Sequence, residues 1–297
     1  MSPATKLDEL ILDEKGGVIG VEVRKDYLFD ASLASDDLEN RSGTKVRIGA
    51  RQGVIMATGG YARDKEFMKH EVPFLEHTLN SASEGATSGA LKSMIRAGAR
   101  PVQLSLYRFS FALPTEDLIW GVAIDAATGA RYASEALGRN PISTASLSAM
   151  AKSGAKPYII WDEKGITKFH NMARVARSMN GLNGRNGTMY KFATLDEVAA
   201  FYKTDAAKLK ATIAEYNRMI AAGKDEQFMK PLERSGRKVE PLSETGPFYT
   251  ALMIPRWDYC PGGIHGAERL TACSMPDCCV TGMIAGETAA KLQKRNI

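Results

Sequence analysis

The sequence predicts a layered α/β domain interrupted by an inserted α+β domain. Two observations carry this. Sheet-like segments ending in glycine lie toward both ends of the chain, whereas the middle alternates short strands with capped helices. The chain has 297 residues, which accommodates one large domain or two of ordinary size.

The elements follow in order. "GGVIGVEVRKDYLF" alternates apolar and polar positions and is rich in β-branched residues, so it reads as a strand. "GTKVRIGARQGVIMATGG" reads as a strand pair. Its second half, Val54–Thr58, is apolar on both faces, as a strand inside a layered sheet is, and it stops at Gly59-Gly60. "SASEGATSGALKSMIRAGARP" reads as a helix capped by Ser83 and ended by Gly98 and Pro101. Gly85 and Gly89 lie in its first turns, which suits close packing or a ligand at the helix start.

The middle begins with a turn at Thr128-Gly129 between short strand-like pieces. "GAKPYIIWDEKG" is a strand running into a helix. Thr194 to Glu197 has the spacing of a capping box. In the helix that follows, Leu209, Ile213, Tyr216 and Ile220 share one face, and Gly223 is the stop. A final helix starts near Pro276 and runs to about Gln293.

Composition excludes several classes. The net charge of +5 is mild, and no dense Lys/Arg block interleaves with aromatics, which argues against a nucleic-acid partner. No segment has the apolar length of a membrane span, and the first residues lack an apolar leader core. The four cysteines crowd into Cys260–Cys279. A disulfide framework would join distant parts, so this spacing predicts a reducing, cytoplasmic setting. Metal ligation is not expected, because C-x-x-C pairs are absent. Cys278 and Cys279 read as small apolar residues facing a helix core. No G-x-S-x-G elbow and no G-x-G-x-x-G turn occurs.

"GVIMATGGYARD" together with "EGATSGALKSMIRAGA" resembles the fumarate reductase/succinate dehydrogenase flavoprotein family. Soluble fumarate reductases, urocanate reductase and, more distantly, 3-ketosteroid dehydrogenases belong to it. "GARYASEALGRNPIS", "ATIAEYNRMIAAGKDEQFMKP", "GPFYTALMIP" and "GIHGAERL…GMIAGETAAK" are similar to later family segments. The resemblance implies an α/β flavin-binding (Rossmann-like) domain, incomplete, with an inserted α+β capping domain. The flavin-binding part would take residues 1–105 and 232–297, and the cap 106–231. The sequence departs from the family in two places. The family's N-terminal pyrophosphate-binding G-x-G-x-x-G is absent. Gly262-Gly263 runs directly into Ile264-His265-Gly266, where the family has intervening strands.

The resemblance also implies a chemistry. The cofactor is FAD, which reduces a C=C bond polarised by a carboxylate; the substrate is a small anion, and the electron donor is unknown, another redox subunit being one source. Arg139, in "SEALGRNPIS", matches the proton-donor arginine; the residues alone allow instead a surface ion pair with Glu135, four positions earlier. Glu116, in "LPTEDL", matches the relay glutamate, but the relay's partner arginine is missing, since Ile119 and Trp120 occupy that region. Arg269 matches the arginine that clamps the substrate carboxylate, a role suited to a planar, bidentate donor. Tyr259 and Arg108 fall where soluble fumarate reductases have carboxylate-binding histidines, which speaks against fumarate itself. His265 completes the implied substrate set. Thr58, Gly59, Gly60, Gly85, Leu270, Thr271 and Ser274 match the cofactor-binding positions.

Two other readings remain. One is a 3-ketosteroid dehydrogenase-like enzyme run oxidatively, which the arginines suit poorly. The other is a non-catalytic remnant or subunit that has lost FAD. Flavin content separates this last reading from the enzymes. The complete protein is expected to purify yellow, with flavin absorbance in the visible blue. A colourless preparation whose melting temperature does not rise on adding FAD would overturn the expectation, because a bound ligand stabilises the folded state.

Overall fold

The computed structural model describes residues 3–75, 78–80, 82–111, 113–181, 187–259 and 274–292. The chain divides into two compact units. Unit 1 comprises Met1–Arg108 and Trp257–Ile297, and unit 2 comprises Phe109–Arg256.

The first part of unit 1 runs β1 (Thr5–Leu12), β2 (Val18–Lys25), α1 (Asp36–Glu39), β3 (Thr44–Gly49), α2 (Lys65–Glu71), β4 (Leu79–Asn80) and α3 (Gly89–Arg96), and the chain passes into unit 2 within β5 (Arg108–Ser110). Strands β1, β2 and β3 form an antiparallel meander in that order. The excursion between β2 and β3 is closed by polar contacts. Buried Arg24 grips Asp8 through Nε at 2.8 Å and donates to the Asn40 carbonyl at 2.6 Å. Helix α3 docks on β1 through Ser93, whose hydroxyl accepts from the Leu10 amide at 2.8 Å and donates to Glu9 at 2.9 Å.

Unit 2 runs β6 (Val122–Ile124), α4 (Arg139–Ser153), β7 (Tyr158–Asp162), α5 (Glu163–Thr167), α6 (Met172–Asn180), β8 (Met189–Phe192), α7 (Leu195–Tyr202), α8 (Ala206–Ala221), β9 (Glu233–Arg234), β10 (Arg237–Lys238) and β11 (Phe248–Leu252). The chain then returns to unit 1 with β12 (Arg256–Tyr259) and α9 (Ser274–Lys291). The sheet of unit 2 has the order β6-β7-β11-β8, with antiparallel pairing between neighbours. All five residues of β7 are buried, which explains its unbroken "YIIWD". Helices cover the sheet: Leu209, Ile213 and Tyr216 of α8 and Ile142 of α4 join Tyr158, Trp161 and Phe248 in one core. In unit 1, β4 pairs with β12.

Four readings of the sequence are corrected. Val54–Thr58 is not a strand; an apolar segment of that kind needs a neighbour on each side, and among the described residues nothing pairs with it. Helix α3 starts at Gly89 behind Ser88, not at Ser83. The reason is local. Ser88 is buried with its hydroxyl on Asp64, and the Asp37 carboxylate fills the space beside Gly89, where a Cβ would meet Oδ1 at 2.5 Å. Unit 2 extends past residue 231, because β11 is an inner strand of its sheet. At α7, Thr194 Oγ1 accepts from the Glu197 amide as expected, but Glu197 reaches back to the Ala193 amide rather than to that of Thr194.

The deepest feature of unit 2 is ionic. Arg131, Glu135 and Lys230 have fully buried side chains. Glu135 accepts from Arg131 at 3.0 Å, from Lys230 at 3.0 Å and from the Ala123 amide of β6 at 2.9 Å. Arg131 also makes two bonds to Asp225, at 3.0 and 2.9 Å. Lys230 completes its set on Tyr216 and on the Gly121 carbonyl. Burial pushes the Glu135 carboxyl upward, but the charges of Lys230 and Arg131 outweigh this and hold it below the usual range. A carboxylate with a depressed folded-state pKa contributes stability above its unfolded pKa of about 4.3, and that contribution is lost as the pH falls through the lower folded value. Glu135→Gln is therefore expected to cost about 3–5 kcal/mol, since it leaves two buried cations short of a partner. It should also remove part of the acid sensitivity of unfolding below about pH 4. Chemical denaturation at neutral and acid pH checks both; a loss below about 1 kcal/mol would show that the cluster is dispensable.

Candidate functional site

On unit 2, the residues with site potential lie on a 3-10 helix and at the starts of α4 and α6. The Thr115–Trp120 segment is a 3-10 helix. It turns Glu116 outward, exposed, and Asp117 inward, fully buried. Asp117 is held twice. Its carbonyl accepts from Trp161 Nε1 at 3.2 Å, and its Oδ1 accepts from the His170 amide at 3.2 Å and meets His170 Nδ1 at 2.7 Å. Its Oδ2 is buried with no hydrogen-bond partner in the structure. The next residue, Asn171, caps α6 by accepting from the Arg174 amide at 3.0 Å. Val175 and Ser178 bury the inner face of α6, which leaves Arg174 half-buried and Arg177 exposed.

Arg139 is the first residue of α4, following Gly138 at the cap. It is half-buried. The alternative partner considered for it, Glu135, is committed to Arg131 and Lys230. Arg139 and Glu116, distant in sequence, both act on Arg174. Burial lowers the proton affinity of the Arg174 guanidinium, repulsion from Arg177 and Arg139 lowers it further, and attraction from Glu116 and Asp117 opposes the fall. Arg139 thus starts α4, Arg174 and Arg177 lie on α6, and Glu116 and Asp117 lie on the 3-10 helix.

Sequence reasoning did not find His170, Asp117 or Arg174. His170 stands in polar sequence surroundings of the kind a surface residue has. Its ring is largely exposed, but it rests on a buried carboxylate, and no spacing in the sequence signals that pairing.

On unit 1, Thr58 and Gly59 are exposed and Gly60 is half-buried, in a stretch without regular secondary structure. Gly59 has φ of 75°, a left-handed conformation that favours glycine, and a Cβ there would meet nothing within 4 Å. Gly85 likewise faces open space. An open glycine backbone of this kind fits the close approach of a large planar or phosphate-bearing cofactor. Nearby, Gly53, Val54 and Met56 line a crevice of about 310 Å³ with Thr288 and Ala289 of α9 and with Leu292 just beyond it. Gln52 Nε2 donates to the Leu292 carbonyl at 2.8 Å, tying the segment to the end of that helix. Arg108 opens β5 and is half-buried, Tyr259 ends β12, and Ser274 opens α9. His265, Arg269, Leu270 and Thr271 lie outside the described residues. Among the described residues no His/Cys/Asp/Glu group has the arrangement of a metal site, and no helix is long and apolar enough to cross a membrane.

Comparison with known proteins gives the class. A family model described as "FAD binding domain" matches residues 1–289, and the chain belongs to that family, whose cofactor is FAD. The acrylate reductase flavoprotein subunit of Shewanella woodyi is 31% identical over 94% of this chain and 60% of its own length. Urocanate reductase of Eggerthella lenta is 25% identical over 97% of this chain and 50% of its own. Among solved structures, the open conformation of a flavocytochrome c3 fumarate reductase superposes with a TM-score of 0.75, 21% identity, and coverage of 97% of this chain and 52% of that one. A 3-ketosteroid Δ4-(5α)-dehydrogenase from Rhodococcus jostii gives 0.56 at 18% identity, covering 87% of this chain and 47% of that one. These two likenesses show the fold. The chain spans half to three-fifths of the length of these curated relatives.

One reading of the thiols is overturned. Cys279 is free and exposed on α9, not packed in a helix core. The helix presents Val280, Met283 and Ile284 to the outside as well, so its apolar residues do not mark a buried face. Cys279 is expected to react within minutes with a disulfide reagent in the native protein. A Cys279→Ser variant should lose one fast-reacting equivalent, and an unchanged fast count would refute the exposure.

Proposed function

We propose that the complete protein is an FAD-dependent oxidoreductase that reduces the C=C bond of an unsaturated carboxylic acid. In this reading unit 1 is part of a Rossmann-like flavin domain and unit 2 is the capping domain. The observation that carries it is the place of Arg139, half-buried at the first residue of α4 behind Gly138, with Glu135 taken by Arg131 and Lys230 rather than by Arg139. The identity to an acrylate reductase subunit supports it independently.

When bound, FAD supplies a hydride from N5 to one carbon of the double bond. Arg139 donates the proton to the neighbouring carbon, and Glu116 returns a proton to Arg139. An arginine acid is workable because only one proton is lost per turnover and a carboxylic acid beside it can restore the charge. Arg269 clamps the substrate carboxylate, with Arg108, Tyr259 and His265 completing the substrate contacts. Thr58, Gly59, Gly60, Gly85, Leu270, Thr271 and Ser274 hold the cofactor. The substrate is a small anion, matched to the cationic face around Arg139. Electrons come from a further redox subunit, in keeping with the subunit status of the acrylate reductase relative. A cytoplasmic setting rests on cysteine usage alone.

The test uses the complete protein with acrylate as the probe acid and reduced methyl viologen as the donor. Arg139→Lys is expected to lower turnover at least about 100-fold while KM stays within a few-fold. Arg269→Met is expected to raise KM and lower turnover together, by about 10- to 100-fold in kcat/KM, as loss of a charged hydrogen bond of about 1.5–3 kcal/mol requires. Near-normal turnover of Arg139→Lys on an acid that the parent reduces would rule the mechanism out.

A further inference from the structure

The two glycine-bearing stretches of unit 1, at Gly59-Gly60 and at Gly85, lie outside helices and strands, so other contacts must hold them. The residues Tyr61–Asp64 that follow the first pair do most of this. Tyr61 is buried, with T-shaped ring contacts to Phe67 at 4.7 Å and to Trp257 at 5.7 Å, and its hydroxyl donates to the Leu104 carbonyl. The Ala62 carbonyl accepts from Asn80 Nδ2. Asp64 is buried, accepts from the Phe67 amide at the start of α2, and accepts from Ser88 and Lys92 at the start of α3.

Arg63 does something different. Its amide donates to the Ala86 carbonyl at 2.9 Å, and its guanidinium donates twice to the Ala82 carbonyl, from Nε at 3.1 Å and from Nη2 at 2.8 Å. One residue therefore grips both ends of the turn from Ala82 to Ala86. The Ala86 amide closes the turn on the Ser83 carbonyl at 3.0 Å, and Gly85 lies exposed within it. Among the described residues no carboxylate pairs with Arg63, which is half-buried. A guanidinium spent on a backbone carbonyl fixes shape, and its charge stays open to an anion.

We propose that Arg63 is a positioning residue for FAD, fixing the Ala82–Ala86 turn relative to Gly59-Gly60 so that both glycine backbones are in place before the cofactor arrives. This deepens the cofactor reading given above and rests on it. Arg63 acts through the turn, not on the reacting atoms. Without its side chain, the Ala82 end of the turn keeps only its own amide on Asn80 Oδ1, at 2.8 Å. FAD then has to order the turn as it binds, and that ordering is subtracted from affinity. The fold loses little, because Ser83, Glu84 and Gly85 are exposed.

The test measures cofactor binding rather than turnover. The complete protein is stripped of FAD and titrated with FAD, and binding is followed by the change in flavin fluorescence. The melting temperature of each stripped variant reports the fold. Arg63→Met is expected to weaken FAD binding about 10-fold or more, with a melting temperature close to the parent's. Arg63→Lys, which offers the Ala82 carbonyl one bond in place of two, is expected to fall between, at about 3-fold. Gly85→Val controls for the cradle. A Cβ there meets nothing in the protein within 4 Å, so the variant folds, but its side chain stands where the cofactor approaches, and it too is expected to weaken FAD. Parent-like affinity of Arg63→Met beside a weakened Gly85→Val overturns the role of Arg63 and leaves the cradle standing. Parent-like affinity of Gly85→Val removes the cradle reading, and the role of Arg63 with it. A lowered melting temperature with unchanged affinity makes Arg63 a residue of the fold alone and overturns the proposal. If Arg63→Met does not fold, Arg63→Lys decides: binding about 3-fold weaker supports the proposal, and parent-like binding overturns it.

Discussion

The arrangement of unit 2 depends on one carboxylate. Glu135 sits with no solvent contact between Arg131 and Lys230, and its remaining acceptor capacity goes to the Ala123 amide. Through these bonds it ties the β6 strand, the segment leading into α4 and the turn after α8 to a single point. Such a cluster is a costly way to hold a protein together, since desolvation offsets much of the attraction. It has a geometric benefit that apolar packing lacks. Hydrogen bonds to a buried carboxylate tolerate little rotation, so the chain leaving Glu135 is held close to where α4 begins at Arg139, four residues further on. The candidate proton donor is thus aimed by residues that never touch it.

Much of unit 2 was legible in the sequence. The face formed by Leu209, Ile213, Tyr216 and Ile220 is buried, and the left-handed Gly223 follows α8. Helical period and glycine stops are local properties, and local properties survive in one dimension. The Thr128-Gly129 turn was legible for the same reason: Gly129 has φ of 71°. Val54–Thr58 was misread because its composition answers to neighbours rather than to its own backbone. The start of α3 was misread because Asp37, far away in sequence, takes the space beside Gly89.

The site was legible only in part, and for a related reason. Arg139 and Glu116 stand in recognisable motifs. Arg174 and the Asp117–His170 pair stand in none, because their significance arises when α6 folds back onto the 3-10 helix. Buried Asp117 makes this possible, since a carboxylate held on both sides is a rigid post on which a helix can be hung.

The two-part make-up of unit 1 has a consequence for the order of folding. Unit 2 is one continuous stretch, from Phe109 to Arg256, whereas unit 1 needs residues from both sides of it. Bringing β12 and α9 to the first segment closes a long loop, and an unfolded loop grows more expensive with length, by about 0.6 kcal/mol for each doubling. A loop that has already collapsed into a compact unit presents its two ends close together and removes most of that term. On a chain made from the N-terminus, unit 2 is also complete before α9 emerges. Unit 2 therefore acts as an internal splint for assembly. Its apolar core and its ionic cluster serve the unit that surrounds it in sequence as much as they serve unit 2 itself.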